Sequence, residues 1–497
     1  MKKNIIWIVV DCVRNYQSGT DDRDKLDIMY ELENEFTTFD KMMVSAPSSI
    51  MSAVNFLTGI PAYYLAGNYS QFQFDKNNYW TIKDVLNNYN YENYSILNAR
   101  ECRVMLKDML DCVDNKFLTA KVRPTMMRWP NKEVSNIFYR LLDSKPVSPA
   151  FYFLWYNTRL DPNMSNEIKD LMNNLKKRGL YDDSIIILTA DHGYPDRKRG
   201  LVSDGWDMWK AGLRHDIILT NDNINVPFLI KYPGMKPKKV DTLVSTEDIF
   251  PTILDLLEIK VPYNKQLSYF GTSLKDLIEN KKSKKNFFDN RIIRSDARFA
   301  LQNDRNTSLQ KGKYHYIVRH HDMHEELYNT EIDPFEEKDI SKNKKNSEIL
   351  KLFRKYFKDE NEKIKKIHQK NTYDKLIINL KKLKDTNQII NNCILIAFND
   401  SYLFETFIKA LKFIYPEVKI TLFLRNKCKS KFIASNNIKE IYYDVKDLKS
   451  IRQKFEKRDY LFEVVDDPVS SEFREIYNKF IKLKAKKIIR VNWGGDL

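Results

Sequence analysis

Cysteine is scarce and scattered in this sequence: five residues in 497, at Cys12, Cys102, Cys112, Cys393 and Cys428. No Cys-x-x-Cys pair or dense framework occurs, which excludes a disulfide scaffold and favours a reducing compartment. An apolar run of the roughly 18 residues needed to cross a membrane is also missing. The stretch Asn4 to Val10, after Met1-Lys2-Lys3, imitates a short signal peptide. Asp11 interrupts it, and no small-residue cleavage site follows. It reads as the first core strand of a cytoplasmic protein.

Glycine-rich nucleotide loops and aromatic RNA motifs are absent too. The net charge of +16 is therefore not read as nucleic-acid binding. Lysines are interleaved with Asp, Glu and Asn over the whole chain, and a general lysine and asparagine bias accounts for the charge. What is present is a globular composition. Hydrophobic residues make up 42% and aromatics 13% of the chain, enough for two or three domains with a large core.

The most informative stretch is Ile185-Ile186-Ile187-Leu188-Thr189-Ala190-Asp191-His192-Gly193. A continuous apolar run predicts a strand buried on both faces, which favours a parallel sheet. In open α/β sheets, ligands bind at the carboxyl ends of strands. Asp191 and His192 fall there, and an oxygen beside a nitrogen ligand suits a divalent cation such as zinc or manganese. Gly193 is expected to permit a sharp turn. Ile5 to Val10 predicts a second buried strand, and Asp11 stands at its end as a second metal carboxylate.

Ser45 to Gly59 predicts an extended entry at Pro47, a helix capped by Ser48 or Ser49, and termination at Gly59. A helix N-terminus offers unpaired N–H groups and partial positive charge. That setting suits an alkoxide at Ser49 and the anionic ester it attacks. Phe151 to Arg159 predicts another buried strand with a polar end. Arg159 is placed to hold a substrate oxyanion bidentately, and Asn157 to meet substrate or the strand-end backbone. Ser165 to Leu180 predicts an amphipathic helix feeding the Asp191 strand. This alternation argues for a doubly wound sheet.

These segments resemble, in their order, the sulfatase branch of the alkaline-phosphatase superfamily. The segments are Asn4 to Asp11, Ser49 to Gly59, Ser184 to Gly193, Val226 to Ile230, Asp248 to Thr252 and Glu326 to Asn329. Gly271 to Leu274 and Asp333 to Glu336 are similar to that family's tail. The resemblance covers about the first two thirds of the chain. It implies an alkaline-phosphatase-like three-layer α/β/α sandwich with a mostly parallel sheet. It also implies a metal held by Asp11, Ser49, Asp191 and His192, with the nucleophile at residue 49. Sulfatases carry there a cysteine, matured to formylglycine within Cys-x-Pro-Ser-Arg. Here Ser49 holds that position, Met51 replaces the proline and Ala53 the arginine. Ser48 is the register alternative. A serine nucleophile resembles the phosphatase and phosphotransferase members. The resemblance further implies a metal or substrate role for His215, and a histidine where Arg159 falls. Cys12 stands where many sulfatases have a second aspartate, which removes one hard oxygen ligand.

Three regions follow: a sulfatase-like catalytic domain over 1–340, a helical lysine-rich connector over 341–385, and a small Rossmann-like α/β domain over 386–497. The expected activity is metal-dependent hydrolysis or transfer of a phosphate or sulfate ester through Ser49. His215 and Arg159 position the anionic group, and the substrate is carried on a glycan or lipid. The metal is zinc, manganese, magnesium or calcium. A true sulfatase, and a non-catalytic member that binds a glycan or protein partner, are the rivals.

Overall fold

The computed structural model describes residues 3–15, 26–64, 79–99, 102–103, 106–107, 109–112, 128–144, 149–157, 163–195, 218–261, 270–279, 281, 285–297, 306–320, 323–385, 390–397, 402–425, 438–443, 460–464 and 487–491. The chain divides into two compact units. The first comprises residues 1–63, 74–298 and 304–355; the second comprises 64–73, 299–303 and 356–497.

The first unit is built on an eight-stranded sheet. Its strands are β1 (Asn4–Asp11), β2 (Thr37–Met43), β3 (Glu92–Leu97), β4 (Ala150–Asn157), β5 (Ser184–Thr189), β6 (Asn225–Lys231), β7 (Lys239–Val240) and β8 (Val244–Ser245). The order is β3-β4-β1-β5-β6-β2-β7, with β8 also paired to β2. β3, β4, β1 and β5 run parallel. β6 is antiparallel to both β5 and β2. The run Ile185 to Leu188 is thus parallel to one neighbour and antiparallel to the other. Its hydrophobicity reports burial on both faces, and strand direction leaves no mark on it.

Side-chain alternation sends helices to both faces. In the β1–β4 register Trp7 lies opposite Phe153 and Ile6 opposite Tyr152. Trp7 packs on Phe153 (5.5 Å between ring centroids) and on Phe56 of the helix Ser49–Thr58 (5.4 Å). Tyr152, one residue earlier and so on the other face, meets Phe138 of the helix Asn131–Ser144 at 5.0 Å. Sheet and flanking helices form the three-layer α/β/α arrangement, and Ile5 to Val10 are fully buried at its centre.

A second sheet of the same unit is antiparallel and has no counterpart in the sequence reading. It consists of β9 (Ile293–Ala297), β10 (Asn306–Lys311), β11 (Tyr314–Arg319) and β12 (Glu325–Asn329), in the order β12-β11-β10-β9. Its edge strand β9 braces the entry to the Ser49 helix: Asp296 N–H donates to the Ser45 carbonyl at 2.9 Å and Ser295 Oγ to the Val44 carbonyl at 2.5 Å.

The lysine-rich stretch is one helix of 39 residues, Ser347–Asp385. The second unit carries β13 (Asn392–Ala397), β14 (Lys419–Arg425), β15 (Ile438–Tyr443), β16 (Tyr460–Val464) and β17 (Lys487–Val491). All pairs are parallel, in the order β15-β14-β13-β16-β17. That is a doubly wound arrangement in which strand order reverses beside β13. Among the described residues no helix is long and apolar enough to cross a membrane.

Candidate metal and nucleophile site

β1 and β5 are parallel neighbours in register, so their carboxyl ends lie side by side. This places Asp11 beside Asp191 and His192, all buried. The helix Ser49–Thr58 begins over the same point. Ser48 is its N-cap, with extended backbone and no side-chain cap bond, so Ser49 is the first helical residue. Of the two serines, Ser49 is the one whose hydroxyl reaches the cluster, 3.3 Å from His192 Nε2. It is also only half-buried, which leaves it open to a substrate.

His192 Nε2 is the hub. Asp191 Oδ2 lies 3.3 Å from it, Asp11 Oδ1 3.7 Å and Cys12 Sγ 3.9 Å. His192 Nδ1 lies 2.7 Å from the Gly193 carbonyl. A carbonyl only accepts, so Nδ1 carries a proton and Nε2 is the nitrogen turned to the acids. Asp191 Oδ1 is occupied by the N–H groups of Cys12 (3.0 Å) and His192 (2.9 Å). Asp191 Oδ2 is buried and receives no hydrogen bond among the described residues. Ligand atoms at about 2.0–2.2 Å from one tetrahedral ion stand about 3.3–3.6 Å apart. Asp191 and Ser49 stand at that spacing from Nε2, Asp11 and Cys12 lie 3.7 and 3.9 Å away, and the buried Asp191 Oδ2 faces the same point. The residues therefore fit a divalent ion.

The electrostatics agree. Burial opposes charge on Asp11. His192, hydrogen bonds from Cys12 and Asn157, and the Arg128 guanidinium outweigh it and hold the carboxyl below its usual range. Asp191 goes the other way. Burial, with the negative Asp11 adding to it against the pull of His192, pushes it up to about 7. Two neighbouring acids push each other apart in ionisation.

Asn157, read from the sequence as meeting substrate or the strand-end backbone, orients an acid, and Arg128 escaped the sequence reading. Asn157 Nδ2 donates to Asp11 Oδ2 at 2.6 Å. Its own backbone is held from both sides by Asn131, so it orients the acid. Arg128 Nη1 lies 3.6 Å from Asp11 Oδ2 with its side chain partly exposed. Ser52 Oγ reaches the Asp191 carbonyl. Asn157 has a visible signal, a polar residue ending a buried strand; Arg128 has none. Gly193 is a glycine for a different reason than a turn. An added Cβ would meet the Asp222 carbonyl oxygen at 2.1 Å. Arg159, His215 and most of the segment after Tyr194 lie outside the described residues.

Two family models match the chain: Sulfatase over residues 162–259, and N-sulphoglucosamine sulphohydrolase, C-terminal, over residues 212–363. The chain is similar to the Delta 4,5-hexuronate-2-O-sulfatase of Bacteroides thetaiotaomicron, 30% identical over 193 residues. That match covers 38% of this chain and 36% of the relative, so it spans about a third of the relative's length. Among solved structures, a 2-O GAG sulfatase superposes with a TM-score of 0.56 at 17% identity, covering 73% of this chain and 93% of the other. The phosphonate monoester hydrolase of Agrobacterium radiobacter does so with a TM-score of 0.56 at 13% identity, covering 73% and 96%. At these identities the likeness is one of fold.

Proposed function

The chain belongs to the sulfatase family of the alkaline-phosphatase superfamily, and from that premise we propose that it is a metal-dependent ester hydrolase or transferase with Ser49 as its nucleophile. The substrate is an anionic ester, with phosphate preferred to sulfate, on a glycan or lipid-linked carrier. The carrying observation is the position of Ser49 Oγ, 3.3 Å from His192 Nε2, the ring nitrogen turned towards Asp191 and Asp11.

Asp11, Asp191, His192 and Ser49 would hold the ion. A divalent cation of this kind lowers the pKa of a bound oxygen, from about 15.7 to about 7 for water, and neutralises charge on the transferred group. Ser49 Oγ, its proton given up to solvent, attacks phosphorus; the phosphorus–oxygen ester bond breaks, and the leaving oxygen takes a proton from solvent. The first turn of the Ser49 helix presents N–H groups without intrahelical partners to the anionic oxygens. Arg128 extends the positive rim. Water, or an acceptor alcohol in the transferase case, then takes the group from Ser49. Serine at 49, with Met51 and Ala53 where the maturation motif has proline and arginine, supports phosphoryl over sulfuryl chemistry.

The test is a panel of aryl phosphate, phosphodiester, phosphonate and sulfate substrates across zinc, manganese, magnesium and calcium. Turnover on a phosphate ester that chelation abolishes and Ser49→Ala removes, with the variant folded, is the expected result. Turnover that survives Ser49→Ala overturns the nucleophile assignment. Formylglycine at residue 49, read by mass spectrometry, overturns the preference for phosphate.

A further inference from the structure

The donor set around His192 Nε2 contains one soft atom. Asp11, Cys12 and His192 each offer a ligand atom within 4.8 Å of the others. Cys12 Sγ lies 3.9 Å from His192 Nε2 and 3.7 Å from Nδ1. Its backbone makes this possible. Cys12 sits in the left-handed region, with φ of 63°, a conformation that costs a residue bearing a β-carbon about 1–2 kcal/mol. The bond from its N–H to Asp191 Oδ1 holds it there. Strain of this sort is retained where surrounding structure over-determines it, and it clusters at functional sites.

The oxygen count points the same way. Calcium takes six to eight oxygen ligands and magnesium prefers a full octahedron of oxygens. Here Asp11 Oδ2 is engaged by Asn157 and Arg128, and Asp191 Oδ1 by two backbone N–H groups. That leaves at most one oxygen from each acid, with the Ser49 hydroxyl, for an ion. With an imidazole nitrogen and a sulfur, that set is borderline to soft. The buried Asp191 Oδ2, without a hydrogen bond among the described residues, points into the same space.

We infer that Cys12 is a thiolate ligand of the ion, and that it turns the site towards a thiophilic cation, zinc before manganese and well before calcium or magnesium. Cys12 then takes the place of a hard ligand and is more than a missing one. On ligation the metal–sulfur bond forms and the thiol proton leaves to solvent. The inference rests on the metal-dependent reading of the Asp11–Ser49–Asp191–His192 cluster, and it adds the identity of the ion.

The experiment uses the full chain, stripped of metal and then loaded with cobalt(II) alone, or with zinc, manganese and calcium in competition. Zinc is expected to be retained over calcium by about a hundredfold or more. The cobalt form is expected to show a sulfur-to-cobalt charge-transfer band that Cys12→Ser removes, while zinc affinity falls about tenfold or more. Cys12→Asp is expected to move the preference towards manganese and calcium. Cobalt bound without that band, or undiminished zinc affinity in Cys12→Ser, overturns the inference. The wild-type spectrum decides this even where a variant fails to fold. If the band is missing but Ser49-dependent turnover persists, the proposed function stands and only the thiolate falls. If no divalent ion binds at all, both fall.

Discussion

Ser52 Oγ donates a 2.6 Å hydrogen bond to the backbone carbonyl of Asp191. This one contact fastens the helix that carries the nucleophile to the strand end that carries the acid. Both residues are fully buried, so the carbonyl has no water to turn to. Ser52→Ala should cost about 1–3 kcal/mol of stability, the usual effect of leaving a buried acceptor unmatched. It should also let Ser49 drift from His192, lowering kcat more than KM. Thermal unfolding and steady-state kinetics check both. Wild-type stability together with wild-type kcat would show the contact to be incidental.

Asn157 makes a second support testable. Its amide donates to Asp11 Oδ2 and helps hold that carboxyl ionised. Asn157→Leu keeps the branching at the γ-carbon and removes the donor. Asp11 then rises towards its ordinary range and loses its fixed orientation. Metal affinity should fall by about 10–100-fold, as for other groups that orient a ligand. Titration of the stripped protein with zinc or manganese measures it. Equal affinity in the variant would remove Asn157 from the site.

The legible parts of the molecule are those where one periodic element ends in one polar residue. Asp11 closes the apolar run Ile5 to Val10, Asp191 follows Ile185 to Leu188 by three residues, and Ser49 opens a helix between Pro47 and Gly59. Their convergence follows from adjacent parallel strands. Cys12 is not legible in the same way, because its role depends on a backbone angle of 63° that no residue pattern announces. The antiparallel sheet β9 to β12 is hidden for another reason. Its buried positions include Arg294, Ser295, Asp296, Thr307 and His315, so hydrophobic alternation is missing. Arg294 and Asp296 satisfy one another through two bonds of 2.8 and 2.9 Å. Polar burial of this kind is paired in space and not along the chain. The small parallel domain is legible almost strand for strand, since β13 to β17 are short apolar runs between polar segments.

Glu247 predicts a pH dependence of stability. Burial, with the neighbouring Asp248 adding and Arg291 opposing, pushes its carboxyl up to about 8. Its Oε2 has no hydrogen bond among the described residues. The folded state therefore keeps a proton that the unfolded chain gives up near its ordinary value of 4.5. Stability from this group is complete below that value and is lost as pH rises towards about 8. Glu247→Gln is neutral throughout and escapes the loss. The variant should match the wild type near pH 4.5 and exceed its melting temperature by several degrees near pH 8. Parallel melting curves across that window would refute the assignment.

The long helix Ser347–Asp385 provides the last prediction. Its first turns belong to the first unit, which extends to Lys355. Phe353 is fully buried and stacks on Tyr316 of β11, with ring centroids 5.4 Å apart and planes 13° from parallel. Tyr316 in turn donates to Glu325 of β12 at 2.5 Å, and Arg354 grips the same carboxylate through Nε at 3.0 Å to each oxygen. An aromatic residue, a phenol, an acid and a guanidinium thus tie the helix start to the antiparallel sheet. Phe353→Ala should cost about 3–5 kcal/mol, since it empties a buried aromatic site. Leu352, one residue earlier and 40% exposed, is the control on the same helix. Leu352→Ala should stay within about 0.5 kcal/mol of the wild type. Helix propensity changes in the same direction for both, so only packing separates them. Denaturant unfolding of the two variants measures the difference. Equal effects would mean that the helix start adds nothing to the core of the first unit, and that its packing boundary lies upstream of Ser347.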